Sequence, residues 1–567
     1  MEATADEERP LIPHLQSQDV DSLYTGDGTV DINNQPALKR TTGNWRACFL
    51  ILGTEFFECF VFFGVAKNLV TYLRGELHES NADAAKNVST WIGTCFVTPV
   101  IGAFLADTYW GRYWTIVISL SIYIVGMLTM TASAWLPLLM DPLHDSGIRH
   151  VVVYLGLYLV ALAGGGIKAC ASALGADQFD GANPVERVAK ASFFNWYYLS
   201  INIGSLLSGT VLVWVQDNVG WGIGFWIPTV LVVFGLAAFV TGRRVYRYKK
   251  LQGSPLKRVS QVVVAAVRNY NLGLPEDCST LHEVPSPTKP NCRIQHTFQF
   301  RFFDKAAILV TSSHEKGQPV SENPWRLCTV SQVEELKMLL RMFPVWASMV
   351  LFSTVNAQMS STFIEQGAVM DNRVGSFTVP PASLATFNVI SVMVCIPVYD
   401  AVLVPLARRA TGKERGLSQL QRLGVGLALS VAGMVYAALV EARRLVLQRT
   451  GTLMSIMWQA PAFAVLGAGE VFTAIGILEF SYEQSPDGMK SLGTALAHLT
   501  IAAGNYLNSA VLGAVAAVTA RGGKPGWIPD DLNEGHLDYF FWLMAALGVV
   551  NLLHFLHCSL RYRGNNN

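Results

Sequence analysis

Twelve long apolar runs organise this chain, each of a length that suits a bilayer. Crossing the hydrocarbon core takes about 20 mostly apolar residues. Six such runs lie near residues 46–73, 88–106, 114–137, 151–172, 193–215 and 222–241. A polar stretch with prolines and charges follows at about 243–333, and six further runs lie near 336–359, 380–404, 420–441, 454–480, 491–517 and 537–560. The pattern predicts an all-α membrane protein with about twelve transmembrane helices, six on either side of a linker. Its expected divisions are a disordered cytosolic N-terminus over 1–43, a first six-helix bundle over 44–242, a cytosolic linker over 243–335, a second bundle over 336–561 and a tail over 562–567.

Loop charge sets the expected orientation. Lys39, Arg40 and Arg46 precede the first run, and Arg112 sits between the second and third. Arg243, Arg244, Arg247, Lys249, Lys250, Lys257 and Arg258 open the central stretch, Arg408, Arg409, Lys413 and Arg415 lie between the eighth and ninth runs, and Arg561 and Arg563 follow the last. Alternating helices put all of these on one side, so the excess of cytoplasmic Lys and Arg places both termini in the cytosol. Arg443, Arg444 and Arg449 fall on the other side as a mild exception.

Composition narrows the classes. Of 567 residues 51% are apolar and 15% charged, against about a quarter charged in soluble chains. The net charge is only +1, with no basic face for a nucleic acid. The nine cysteines show no C-x-x-C and no zinc spacing, so neither a disulfide framework nor a metal site is expected. No G-x-S-x-G, H-E-x-x-H or P-loop points to an enzyme. The expected partners are a small-molecule solute and the lipid bilayer. Paired halves without a soluble catalytic domain point to alternating access between two bundles.

Charges inside the spans carry the candidate chemistry. An ionisable side chain at bilayer depth costs about 2.5–3.5 kcal/mol on insertion scales, so each is a functional candidate. Glu55 and Glu58 share one face of the first helix, Lys168 lies in the fourth after Gly164-Gly165-Gly166, Glu365 follows the seventh, and Glu470 and Glu479 lie in the tenth. Charges of both signs in both halves indicate a polar cavity between the bundles. A buried ion pair that only fixes helix packing is the plain alternative for each.

Two segments resemble the signatures of the proton-dependent oligopeptide transporters, a branch of the major facilitator superfamily. They are Gly102-Ala103-Phe104-Leu105-Ala106-Asp107-Thr108-Tyr109-Trp110-Gly111-Arg112 and Phe194-Asn195-Trp196-Tyr197-Tyr198-Leu199-Ser200-Ile201-Asn202-Ile203-Gly204-Ser205. The stretches at Gly175-Ala176-Asp177-Gln178-Phe179-Asp180, Asn356-Ala357-Gln358-Met359-Ser360 and Ser491-Leu492-Gly493-Thr494-Ala495-Leu496 resemble the plant nitrate/peptide transporter group. The resemblance implies a major facilitator fold and a proton as coupling ion, with no other cofactor. It implies that Glu55, Glu58 and Glu365 move protons. Lys168 would hold a substrate carboxylate, Glu470 an amino terminus, and Asn202 would hydrogen-bond the solute. Asp107 and Arg112 bracket a short cytosolic turn, where a charge pair is expected to latch two helices as a gate element.

The first-helix motif of that family is Glu-x-x-Glu-Arg/Lys, and here it reads Glu55-Phe56-Phe57-Glu58-Cys59. The cation is missing, Phe62 and Phe63 stand in place of two tyrosines, and Ala66 stands in place of a pocket arginine. Two carboxylates near one lysine predict that one of Glu55 and Glu58 is protonated at neutral pH. Peptide-like solutes come first. Nitrate, hormones or secondary metabolites are the alternative, as is a nutrient sensor without flux. Glu7-Glu8-Arg9-Pro10-Leu11-Ile12 looks like an acidic dileucine sorting signal, with Glu7, Leu11 and Ile12 as its readable positions. It points to the vacuolar membrane, with the plasma membrane as the other location.

Overall fold

The computed structural model describes residues 23–26, 28–135, 145–180, 183–249, 255–274, 281–283, 296–309, 323–411, 417–486, 490–520 and 526–562. Twelve long helices occupy the twelve apolar runs: α1 Asn44–Leu77, α2 Asn81–Leu105, α3 Gly111–Trp135, α4 Asp145–Ala176, α5 Pro184–Leu207, α6 Trp221–Thr241, α7 Val330–Asn356, α8 Ala385–Val398, α9 Gln419–Arg449, α10 Ala460–Gln484, α11 Lys490–Thr519 and α12 Leu537–Arg561. Helices are the natural outcome for such runs, because in lipid each backbone N–H and C=O must find its partner within the segment. Their starts are chemically marked. Ser80 and Asn183 cap α2 and α5 with side-chain oxygens, and Thr329/Gln332 and Ser418/Gln421 form reciprocal capping boxes on α7 and α9.

Three helices are interrupted by a π turn, at Ala106–Trp110 between α2 and α3, Ser208–Leu212 after α5 and Tyr399–Leu403 after α8. Close crossings depend on small residues. A Cβ on Gly102 would lie 2.7 Å from Cα of Gly166, so α2 and α4 meet backbone to backbone. The first six helices pack around Trp91, Tyr72, Tyr123 and Phe225, and most of the second six around Phe363, Phe463, Phe540 and Phe541.

The two bundles meet mainly through α2 and α11. Thr90 and Ser509 hydroxyls are 2.7 Å apart, Thr94 and Tyr506 hydroxyls 2.8 Å, and Asn508 donates to Ser89 at 2.8 Å. Asn81 closes the end of the seam by donating to the carbonyls of Pro529 and Asp530. All these bonds lie in the half of the molecule remote from the linker, so in this state the bundles are fastened at one end.

One expectation is corrected by the packing. Residues 28–43, expected to be disordered, form an ordered strap. Val30 pairs with Tyr248, and the fully buried Arg247 donates to Glu186 at 2.7 Å and to the Gln178 carbonyl at 3.0 Å, with Thr42 beside it at 3.4 Å. The ordering force is a buried guanidinium whose donors need partners, and a sequence window does not register it. The linker is also more than a tether. Its helix Pro255–Arg268 packs on Ala306, Ala307, Cys328 and Val333, while the fully buried Lys337 joins Asp304 at 2.7 Å and Glu334 at 2.8 Å. The seventh helix accordingly starts at Val330, several residues before its apolar run. Finally, Arg112 pairs with Asp177 at the end of α4, and the side chain of Asp107 lies outside the described residues. Arg112 thereby ties the start of α3 to the end of α4.

Candidate functional site

Midway along α1 the chain turns one face toward α4 and α5. Glu55 and Glu58 are buried on this face, one turn apart. Lys168 reaches them from α4 and donates to Glu58 at 2.5 Å, with 17% of its side chain exposed against 1% for the glutamate. The Phe62 ring lies beneath the same ammonium, whose nitrogen is 3.9 Å from the ring centroid. Phe62 in turn stacks on Trp91 and meets Phe63 and Phe96 edge-on. A cation held between a carboxylate and an aromatic face is fixed in place, and 17% of this side chain stays exposed. Cys59 Sγ lies 3.6 Å from Glu58 and 3.7 Å from Glu55, and Tyr197 approaches Glu55 from α5. Oε2 of Glu55 is buried with no hydrogen-bond partner among the described residues. Where the family motif has a cation, this site has a thiol and an incompletely satisfied carboxyl group.

A second charged group lies toward the fastened end. Glu470 on α10 accepts from Asn388 of α8 at 3.2 Å and faces Lys67 of α1 electrostatically. The motif comparison passes over Lys67, although a lysine inside the first apolar run is visible in the sequence. It is 6% exposed and donates to the Ser205 carbonyl at 2.6 Å and the Ser205 hydroxyl at 2.9 Å. Asn202, one turn before Ser205, is half-buried and donates to its own helix at the Tyr198 carbonyl, 2.8 Å away.

Glu365 stands apart from both groups. It lies in the short helix Thr362–Ala368, fully buried, and neither carboxylate oxygen has a hydrogen-bond partner among the described residues. The charges that act on it are Arg74 of α1 and Asp530 of the α11–α12 loop. A cavity of about 410 Å³ lined by Arg74, His78, Glu79, Asn81, Ile364 and Asp530 sits over this end of the seam. The side chain of Glu479 and the sorting positions Glu7, Leu11 and Ile12 lie outside the described residues.

Two bundles about a seam, with ionisable side chains buried within the spans, define a membrane carrier. The POT family matches residues 113–528 under its PTR2 designation, and this chain belongs to that family as a multi-pass membrane transporter. It is 50% identical over 558 residues to Protein NRT1/PTR FAMILY 8.5 of Arabidopsis thaliana, covering 95% of this chain and 94% of that protein. With Protein NRT1/PTR FAMILY 8.3 of the same plant it shares 49% over 583 residues, 99% of each chain. Its fold is similar to the crystal structure of an auto-inhibited POT family peptide transporter, with a TM-score of 0.68 at 24% identity, over 92% of this chain and 98% of that one. It is similar also to the POT family transporter PepTSo, with a TM-score of 0.69 at 23% identity, over 92% and 99%.

Proposed function

We propose that this chain is a proton-coupled carrier of di- and tripeptides or closely related zwitterions, working by alternating access. The observation that carries this reading is the Glu58–Lys168 pair, in contact at 2.5 Å with the glutamate buried and the lysine partly exposed. While Glu58 is ionised it occupies the ammonium. A proton on Glu58 removes that competitor, and Lys168 is then free to take the solute carboxylate through a charge-assisted hydrogen bond. Proton and solute thus bind together, which is the requirement for symport. Glu470 receives the amino terminus, Asn202 holds the solute backbone, and Glu365 serves as the proton site of the second bundle. With the Lys- and Arg-rich loops in the cytosol, the fastened end faces outward, so the state described here opens inward. The Glu7/Leu11/Ile12 pattern favours residence in the vacuolar membrane over the plasma membrane.

A second reading rests on the aromatic group around Phe62, Phe63, Trp91 and Phe96. These rings, together with Cys59 and Ala66, suit a larger or more apolar solute such as a hormone or defence metabolite. One experiment separates the two. Uptake of a labelled dipeptide is measured in oocytes at pH 5.5 and 7.5, with Leu11→Ala and Ile12→Ala used to hold the protein at the surface. Saturable uptake that is larger at pH 5.5 and lost in Lys168→Ala supports the peptide reading. No uptake from protein shown to be at the surface rejects it and selects the second.

A further inference from the structure

Two lysines lie within the first bundle, Lys67 buried and Lys168 half-buried, and their charges are met differently. Lys168 is in direct contact with a carboxylate, Glu58. Lys67 is bound only by neutral oxygens, the Ser205 carbonyl and hydroxyl. Among the described residues no carboxylate forms an ion pair with Lys67, and Glu470 acts on it only from across the seam. An ammonium has three N–H donors, so one donor of Lys67 is left without a hydrogen-bond partner among the described residues. Leaving a cation in a membrane interior without a contacting counter-charge is costly, and such groups mark ligand paths.

The surroundings of Lys67 place it on the path. Its nitrogen lies where a Cβ on Gly209 would be 3.0 Å away, and the Thr386 hydroxyl of the other bundle lies 3.1 Å from the same point. That hydroxyl is itself buried without a hydrogen-bond partner among the described residues. Lys67 thus stands where α1, the π turn after α5 and α8 converge, at a seam that parts when access alternates. The two lysines also share one aromatic platform. Lys168 lies 3.9 Å from the Phe62 centroid, Lys67 lies 5.3 Å from that of Phe63, and the two rings meet edge-on at 5.2 Å.

We propose that Lys67 is a specificity-determining residue that receives a second anionic group of the solute, so that this carrier favours peptides bearing an acidic side chain. This rests on the peptide reading above, in which Lys168 takes the terminal carboxylate. The solute then spans the Phe62–Phe63 pair with one anion at each end, and Glu470 remains available for its amino terminus. The missing motif cation at Cys59 and the cation at Lys67 move positive charge about two turns along α1, toward the fastened end of the seam.

The test compares two isosteric peptides, Ala-Glu and Ala-Gln, as competitors and as labelled substrates of the full-length protein in proteoliposomes. The expected result is a preference for Ala-Glu of about tenfold in the unmodified protein, the scale of one charge-assisted contact. Lys67→Gln abolishes the preference and leaves Ala-Gln uptake in place. Lys67→Met is the second variant, of similar length and without a buried charge, should the glutamine variant not accumulate. Equal handling of both peptides by the unmodified protein overturns the proposal, and so does a preference that survives in either variant. If neither peptide is carried, the peptide reading has failed by itself. Lys67 is then judged by thermal stabilisation with glutarate against its monoamide. A glutarate-specific shift lost in Lys67→Met supports a dianion site, and no such shift overturns it.

Discussion

Two of the ion pairs inside the helix bundles, one in each bundle, look alike in composition and differ in completeness. Glu441 and Arg444 of α9 are joined by two bonds of 2.9 and 2.7 Å, with side chains 0% and 2% exposed. Gln366 donates to the glutamate at 2.7 Å, and the guanidinium also reaches Asn533 at 2.7 Å and the Leu532 carbonyl at 3.3 Å. Gln459 extends the network to Gln366 and to the Phe363 carbonyl. The principal donors and acceptors are occupied, and the pair pins the α11–α12 loop and the short helix after α7 to α9. Glu58 and Lys168 are in contact at 2.5 Å, yet a second carboxyl group stands beside them with one oxygen unpartnered, and the lysine keeps an open side. Burial and charge alone do not separate a structural pair from a working one. The number of unoccupied bonding positions does.

The largest effect expected from this comparison is structural. Arg444→Leu strands a buried carboxylate and is expected to cost about 3–5 kcal/mol of stability, read as a large fall in melting temperature. Uptake per folded molecule should stay within about twofold of the unmodified protein, a change of less than about half a kcal/mol. If that variant melts normally and loses transport, the two pairs have been assigned the wrong way round. Lys168→Ala should show a different balance, with peptide uptake per folded molecule reduced about a hundredfold and a smaller fall in melting temperature than in Arg444→Leu, since a proton can neutralise the stranded Glu58.

Glu58→Gln sharpens the contrast further. On the proposed mechanism, in which uptake needs a proton on Glu58, the unmodified carrier should take up more solute at pH 5.5 than at 7.5. The variant presents a neutral side chain at both pH values, so the ratio should fall toward one. A ratio unchanged by Glu58→Gln assigns coupling elsewhere, with Glu365→Gln as the next measurement. The smallest effect is expected at the ring beneath the lysine. Phe62→Leu removes a contact worth about 0.5–2 kcal/mol and should raise KM a few-fold with little change in the pH profile.

Much of this was legible along the chain. All twelve apolar runs became helices, because the free energy of placing a segment in lipid sums locally over about 20 residues. Glu55, Glu58 and Lys168 were visible as charges in apolar runs, and the structure brings all three together. Arg444 was legible only as an arginine on the less basic side. Its neighbours Asn533 and Gln366 come from other segments, so its burial could not be read from a window. Lys67 carried a signal, a lysine within the first run, but its partner Ser205 lies 138 residues away. The strap over 28–43 looked like a polar tail for the same reason, since what orders it is Arg247, more than two hundred positions further on.

The sequence by itself therefore determined the membrane spans, the family and the inventory of intramembrane charge. These depend on composition within a segment and on short motifs. The tertiary structure alone decided which charges meet, which are saturated and which are left open. Glu58 and Lys168 are 110 residues apart and touch because α1 and α4 pack with a particular rotation about their axes. That rotation is set by the sum of many side-chain contacts, among them the backbone crossing at Gly102 and Gly166, and no single segment specifies it.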